Sequence, residues 1–243
     1  MSVQPVAATL EHALDADLAA FVATVRKAAI KAVKVLTETG TLSATGTFGA
    51  AERVPGQNRL VSVGYAGPFA EGDGISVAVV EFDGTIVYSE GGAAGGGARY
   101  APVLKAHPDI TTVIHAHTPY LGAWAGAHRT LPLLYVPAQR WTLAREVPIY
   151  INRRQAESAF ILEKIAENSY HEAILEANGG STFWGKKGLL KTAAQILVLE
   201  EGARFQALAE PLGGTQPYGS GVLEQQWKMS GLIEKADPAV YSV

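Results

Sequence analysis

The chain has 243 residues, of which 48% are hydrophobic and 18% are charged, and its formal net charge is −3. This balance predicts a folded protein with a buried core and excludes global disorder. The weak negative charge and the absence of a Lys/Arg-rich run argue against a nucleic-acid partner. Because the chain has no cysteine, disulfides, thiolate nucleophiles and thiolate metal sites are excluded. Any metal must therefore bind histidine, carboxylate, amide or water.

The ends and the apolar stretches of the chain predict its location and domain organisation. No apolar stretch is as long as a membrane span, and the first residues lack the basic start of a signal peptide. We therefore expect a cytoplasmic protein without a membrane partner. No repeat or polar linker divides the chain. We expect one domain over residues 1–243, with a core over about 15–225 and a C-terminal tail over 226–243.

Hydrophobic periodicity predicts the elements in chain order. Apolar residues at spacings of three and four predict a first helix, and Gly-, Thr- and Ser-rich segments predict turns and short strands after it. A β-branched run before Asp83-Gly84 predicts a hairpin. The predicted elements are a helix over 16–36, short strands within 39–65, a hairpin over 74–90, a helix over 99–106, a strand over 109–117, a helix over 153–168, two strands within 173–185 and a helix over 188–209. Helices that flank many short strands indicate a layered α/β domain.

The most distinctive local pattern is His115-Ala116-His117 at the end of a predicted strand. Side chains two residues apart on a strand point to the same face, so both imidazoles converge on one side. Such a pair can chelate zinc, manganese or iron. The alternative is that one histidine packs in the core and the other is satisfied at the surface. The turn at Thr118-Pro119 favours a site, because binding residues collect at strand ends.

The stretch HPDITTVIHAHTPYLGAWAG (107–126) resembles the signature of the class II aldolase/adducin family. Other segments agree in order with that family: Thr45-Gly46-Thr47, Val-Pro-Gly at 54–56, VVEFDG at 79–84, Leu131-Pro132 with Tyr135, ILEANGGSTFWG at 174–185 and LEEGARFQALAEPLGG at 199–214. The resemblance implies a three-layer α-β-α domain with a central, mostly antiparallel sheet. It also implies a homotetramer with sites between neighbouring subunits, a small-molecule substrate and a divalent metal, of which zinc is the first choice and manganese or iron the alternatives.

The sequence departs from the family pattern at the expected site. The family has a third histidine ligand in an Asn-His-Gly motif, whereas this chain has Asn178-Gly179-Gly180. His128 is an alternative source of the missing ligand. An alignment without gaps places Gly96 where the family has its acidic residue. An alignment with an insertion in the GGAAGGG run (91–97) instead places Glu90 there, directly after Ser89.

The remaining candidates follow from the same resemblance and from side-chain chemistry. His115 and His117 are the predicted metal ligands, and Glu90 and Tyr135 are the predicted catalytic residues. Arg99 can bind a carboxylate through paired N–H donors. The predicted substrate-binding residues are Thr45, Gly46, Thr47, Ser89, Arg99 and Asn178. The Gly-Asn and paired serines that phospho-sugar members carry are absent, so we expect a small hydroxy, keto or aromatic acid and not a sugar phosphate.

The resemblance therefore implies a divalent-metal-dependent lyase that performs aldol-type C–C cleavage or decarboxylation. A metal would stabilise the negative charge that develops on the substrate in the transition state. One alternative is a catalytically inactive, adducin-like binding or assembly protein. Another is a metal enzyme with a changed reaction, such as an iron-dependent oxygenase, an isomerase or a dehydratase.

Overall fold

The computed structural model of the protein describes residues 14–90 and 95–241. In these ranges the helices are α1 (Ala16–Glu38), α2 (Ala101–Ala106), α3 (Pro119–Gly126), α4 (Glu157–Glu167), α5 (Leu189–Ala209), α6 (Val222–Ser230) and α7 (Pro238–Tyr241). The strands are β1 (Phe48–Arg53), β2 (Arg59–Tyr65), β3 (Ile75–Glu81), β4 (Ile86–Ser89), β5 (Thr112–Ala116), β6 (Leu131–Pro132), β7 (Glu146–Val147), β8 (Ile149–Tyr150), β9 (Ala173–Glu176) and β10 (Ser181–Gly185). Short 3₁₀ turns cover Gly96–Tyr100, Val136–Arg140, Glu210–Leu212 and Ile233–Lys235.

Eight of the described strands form one sheet in the order β4-β3-β2-β1-β5-β10-β9-β8. Every neighbouring pair in it is antiparallel except β8 and β9, which run parallel. Strand β5 lies near the middle, where Gly49 of β1 and Thr182 of β10 flank His115. The histidine pair therefore lies at the end of a strand that is hydrogen-bonded to a neighbour on both sides.

Helices cover both faces of the sheet. The alternation of β5 sends Ile114 and Ala116 to one face, where α1, α3 and α5 pack in the larger core. Val113 points to the opposite face, where it joins a second core with side chains of α2 and α4. The predicted three-layer α-β-α architecture with a mostly antiparallel sheet is confirmed.

Most of the predicted elements are present with small shifts at their ends. The prediction of a helix from residue 153 is wrong at its start, because α4 begins at Glu157. Asn152 accepts the backbone N–H of Arg154 through its side chain and that of Gln155 through its carbonyl, so these residues form a turn. This leaves Arg153 outside the helix.

Helix α3 was not predicted from the sequence. It starts at Pro119, contains Gly122 and Gly126, and buries Leu121 and Trp124. Proline suits the first position of a helix, but the glycines and the uniformly apolar composition leave no polar face to show a helical period.

The division into a core and a tail at residue 226 stays a prediction.

Candidate metal centre

The end of β5 places His115 against the layer formed by α2 and α4. His115 shares a face with Val113, which packs in the core beside Tyr100 and Ile161. Its side chain is 13% exposed. The imidazole is therefore largely enclosed, and two carboxylates from other elements reach the same place.

Glu176 and Glu157 are these carboxylates. Glu176 ends β9 and lies with its Oε1 atom 2.7 Å from Nδ1 of His115. Glu157 begins α4, and its side chain is 14% exposed. One ligand atom of each of the three residues lies within 4.8 Å of the others. The sheet and α4 thus bring together an imidazole and two carboxylates that are far apart in sequence.

The hydroxyl of Thr182 connects the three side chains. Its Oγ1 lies 2.7 Å from Oε1 of Glu157 and 2.8 Å from Oε1 of Glu176. It also lies 3.1 Å from Nδ1 of His115. A threonine hydroxyl has one proton to donate, so it cannot satisfy both carboxylates at once. Two acidic groups around one proton form a place that favours a cation.

Two arginines and a tyrosine complete the cluster. Arg153 donates to Oε2 of Glu176 at 3.0 Å, and Arg99 lies 3.5 Å from Oε2 of Glu157. The hydroxyl of Tyr100 donates to Oε1 of Glu157 at 2.9 Å and accepts from Arg99 at 2.7 Å. Burial and the neighbouring charge of Glu157 raise the pKa of Tyr100, so this hydroxyl keeps its proton.

The environment of Glu176 favours its ionised form. Burial alone would raise the pKa of this carboxyl group. The hydrogen bond and charge of His115, with the hydrogen bonds from Thr182 and Arg153, outweigh burial and lower that pKa. A carboxylate that stays ionised while buried can act as a metal ligand. One nitrogen and two oxygen donors fit a divalent cation such as zinc, manganese or iron.

His117 lies next to this cluster but outside the three-residue group. The rings of His115 and His117 are 5.1 Å apart between centroids and meet edge to face. Burial and the charge of His115 lower the pKa of His117, which favours the neutral imidazole that a metal requires. A Cβ atom on Gly180 would lie 2.5 Å from Cδ2 of His117, so the ring occupies space that only glycine leaves free.

The turn that follows His117 is held from α5. Glu200 accepts the backbone N–H groups of Tyr120 and Leu121 at 2.7 and 2.8 Å. These are orphan donors of the first turn of α3, whose own N-cap residue makes no side-chain bond to them. The buried carboxylate of Glu200 thus fixes α3 directly behind the histidine strand.

An open cleft lies beside His115 and is lined by two of the predicted substrate-binding residues. Thr47, Arg99 and Tyr100 line it together with His115. Thr45 lies within 3.4 Å of Thr47 between their hydroxyl oxygens, and Gly46 between them has φ +68°, where a Cβ atom would meet Tyr65. The structure thus brings the Thr45–Thr47 loop and Arg99 towards the histidine strand.

The other predicted residues have neighbours outside the cluster. Glu90 lies 3.4 Å from Nε of Arg26 on α1, and Ser89 pairs with Ala78 in the sheet. The hydroxyl of Tyr135 donates to Glu201 of α5. Their roles stay predictions.

Asn178 and His128, the alternative source of a ligand, contact each other. Oδ1 of Asn178 lies 2.6 Å from Nε2 of His128, and both residues have positive φ angles. Asn178 stays a predicted substrate-binding residue.

Sequence reasoning missed Glu157, Glu176 and Thr182. A charged residue at the end of the apolar run Ala-Ile-Leu-Glu was the one available signal for Glu176, because all four residues of β9 are buried. A Cβ atom on Gly179 would lie 3.4 Å from Nη2 of Arg153 and 3.7 Å from Cβ of Glu176. A side chain at residue 179 would therefore point at the Arg153–Glu176 pair. No local pattern marked Glu157 or Thr182.

Among the described residues, no helix has both the length and the apolar composition that crossing a bilayer requires.

No curated protein matches the chain in sequence. Solved structures match it over most of its length. An L-fuculose 1-phosphate aldolase has a TM-score of 0.68 at 20% identity and covers 85% of this chain and 95% of its own. An L-fuculose 1-phosphate aldolase from Glaciozyma antarctica PI12 has a TM-score of 0.66 at 16% identity and covers 93% and 90%.

A third similar structure is YgbL, a putative aldolase/epimerase/decarboxylase from Klebsiella pneumoniae. Its TM-score is 0.62 at 18% identity, and the match covers 84% of this chain and 98% of YgbL. These similarities establish the fold. The family model described as "Class II Aldolase and Adducin N-terminal domain" matches residues 27–207. Because that match spans most of the sequence, the chain belongs to the class II aldolase/adducin family.

Proposed function

We propose that this chain is a divalent-metal-dependent lyase that cleaves or decarboxylates a small hydroxy, keto or aromatic acid. The observation that carries the proposal is the group of His115, Glu157 and Glu176, whose ligand atoms lie within 4.8 Å of one another. His117 stays a predicted further ligand beside them. A bound metal would polarise a carbonyl or hydroxyl oxygen of the substrate and stabilise the negative charge that forms there.

The chain's own residues would bind the substrate and control the protons around the site. Arg99 lines the cleft beside His115 and can bind a carboxylate of the substrate. The hydroxyl of Tyr100 donates a hydrogen bond to Glu157 and so orients that carboxylate. Glu90 and Tyr135 remain the proposed proton-transfer residues. In this chain Glu90 contacts Arg26 of α1, and Tyr135 contacts Glu201 of α5.

The substrate class is proposed from the cationic groups of the site. Arg99 and Arg153 are the basic side chains bound to its carboxylates, and a guanidinium binds a planar carboxylate through paired N–H donors. The similarity to two L-fuculose 1-phosphate aldolases supports C–C cleavage as the reaction type. The similarity to YgbL, a putative aldolase/epimerase/decarboxylase, keeps decarboxylation and epimerisation as related candidates.

A second candidate is a metal enzyme of changed reaction. Non-haem iron oxygenases bind iron through two histidines and one carboxylate, and His115 with the adjacent His117 and one of the two glutamates would supply that set. An inactive, adducin-like binding protein is the third candidate. The convergence of His115, Glu157 and Glu176 argues against it, because a binding protein has no need of a group of metal-ligating side chains.

Metal analysis of protein purified without chelators tests the proposal. We expect about one divalent ion per chain and a large loss in His115→Ala and Glu176→Gln, whereas His128→Ala, an exposed histidine outside the group, keeps its metal. Less than about 0.1 ion per chain, unchanged by His115→Ala, would contradict the metalloenzyme. Loaded protein is then assayed on hydroxy and keto acids and on sugar phosphates in parallel.

A further inference from the structure

The two carboxylates of the cluster are each bound to an arginine, and the two arginines stand at opposite ends of one chain of contacts. Arg153 contacts Glu176 at 3.0 Å, Glu176 contacts Thr182 at 2.8 Å, and Thr182 contacts Glu157 at 2.7 Å. Arg99 closes the chain at 3.5 Å from Glu157. Each glutamate of the candidate metal group therefore has its own guanidinium partner.

Both guanidinium groups have donors to spare. Arg153 is 50% exposed and uses Nη1 on Glu176 and Nη2 on the carbonyl of Ala177. Arg99 is 51% exposed, contacts Glu157 through Nε and donates to Tyr100 through Nη2. A guanidinium carries more N–H groups than these contacts consume. Both side chains can therefore bind another anionic group without leaving their present partners.

The charges of the cluster show what kind of ligand it needs. The two arginines balance the two glutamates, so a divalent cation would leave an excess of two positive charges in a partly buried place. Excess charge in a place of low dielectric is costly unless an anion compensates it. A ligand with two negative charges restores the balance.

We propose that Arg99 and Arg153 form a two-arginine clamp that binds a dicarboxylic acid across the metal group, one carboxylate on each guanidinium. This inference rests on the proposed metal site and adds the substrate class. A single phosphate group presents both negative charges at one centre, whereas the two guanidinium groups are separated by Glu157, Thr182 and Glu176. The clamp therefore favours two separate carboxylates over one phosphate.

Titration calorimetry of the full chain tests the clamp with defined probes. The Mn²⁺-loaded protein is titrated with succinate, with butanoate as the monocarboxylate of equal length, and with inorganic phosphate. We expect succinate to bind at least about tenfold more tightly than butanoate or phosphate. Arg99→Gln and Arg153→Gln should each weaken succinate binding by about tenfold or more. Arg153→Lys, which keeps the charge but not the paired donors, should be intermediate.

Mn²⁺ affinity, measured on the same variants, separates a clamp from a loss of structure. Removing a positive charge beside a ligand carboxylate should leave Mn²⁺ binding unchanged or tighter, while succinate binding becomes weaker. The control is Arg154→Gln, which removes an equal charge from the next residue. Arg154 is exposed, and its side chain makes no hydrogen bond or ion pair with a described residue. It should bind Mn²⁺ and succinate as the parent protein does.

The outcomes distinguish the two proposals. If Mn²⁺ binds but succinate affinity is the same in Arg99→Gln, Arg153→Gln and the parent, the clamp is wrong and the metal site stands. If phosphate binds more tightly than succinate, the site prefers one group that carries both negative charges over two separate carboxylates, and the clamp is likewise wrong. If no Mn²⁺ binds at all, the metal site fails and the clamp fails with it.

Discussion

Glu52 is a buried carboxyl group that takes no part in the candidate metal centre. It lies on β1, is 8% exposed, and accepts a short hydrogen bond from Thr112 of β5. Burial raises the pKa of Glu52 to about 7, although the bond from Thr112 opposes the shift. The folded chain therefore holds a proton on Glu52 over a range of pH in which the unfolded chain has released it.

Part of the pH dependence of the protein's stability should come from Glu52. Between about pH 4.5, the ordinary pKa of the group, and about pH 7, the folded state binds more protons, so the free energy of unfolding falls as the pH rises. Above about pH 7 this contribution is constant. We expect Glu52→Gln to stabilise the protein by on the order of 1–3 kcal/mol at pH 8 and by much less at pH 4.5.

Urea unfolding at both values of pH measures this effect. The exposed Glu234→Gln serves as the control, since it removes an equal charge at the surface. A stabilisation of Glu52→Gln that is the same at pH 4.5 and pH 8 would show that Glu52 has an ordinary pKa in the fold.

At the scale of elements, the connection between β9 and β10 holds the histidine strand in place. Strand β10 pairs with β5, and Gly180 immediately precedes it. A Cβ atom on Gly180 would lie 2.4 Å from the carbonyl oxygen of Ala116 and 2.5 Å from Cδ2 of His117. Both distances are shorter than those that real Cβ atoms make. Because the carbonyl oxygen of Ala116 belongs to the backbone, β5 and β10 would have to separate.

Gly180→Ala should therefore destabilise the protein by about 1–3 kcal/mol and weaken Mn²⁺ binding, because His117 and the end of β5 must move. The control is Gly126→Ala at the end of α3, where a Cβ atom meets nothing within 4 Å. We expect that variant to be as stable as the parent or slightly more so. Denaturant unfolding and Mn²⁺ titration of the two variants compare them directly, and equal stability would contradict the close approach at Gly180.

At the scale of the whole molecule, α5 and the turn after it present an exposed apolar face. Phe205, Leu208 and Leu212 are 50%, 55% and 87% exposed and lie three and four residues apart. The ring of Tyr135 meets that of Phe205 edge to face at 5.5 Å. A surface of this kind is typical of a protein interface, and it includes the predicted catalytic tyrosine.

We expect the protein to be a homotetramer that uses this face, as the family resemblance implies. Leu208→Glu should shift the mass in solution towards that of one chain, because a charge in an apolar interface opposes association. Light scattering after size-exclusion chromatography measures the mass. The control is Lys34→Glu, which alters an exposed charge on α1. A parent protein with the mass of a single chain at micromolar concentration would contradict the tetramer.

Several parts of the fold and site were predictable from local pattern. Helix α1 has a clear helical period, and β5 ends in two histidines that alternation places on one face. The partners of those histidines were not predictable, because Glu157 and Glu176 come from different elements. The start of α4 was also misplaced, since the side chain of Asn152 makes a turn that competes with the helix.

The sequence by itself determined the family, the layered α/β architecture and the His115–His117 strand, because these depend on residue type and short spacing. It also excluded thiolate metal sites through the absence of cysteine. Only the tertiary structure decided that two carboxylates gather around Thr182 and that Arg99 and Arg153 flank them. The reason is that these residues meet through strand pairing and through the packing of α4 on the sheet, and contacts between distant segments leave no trace in local periodicity.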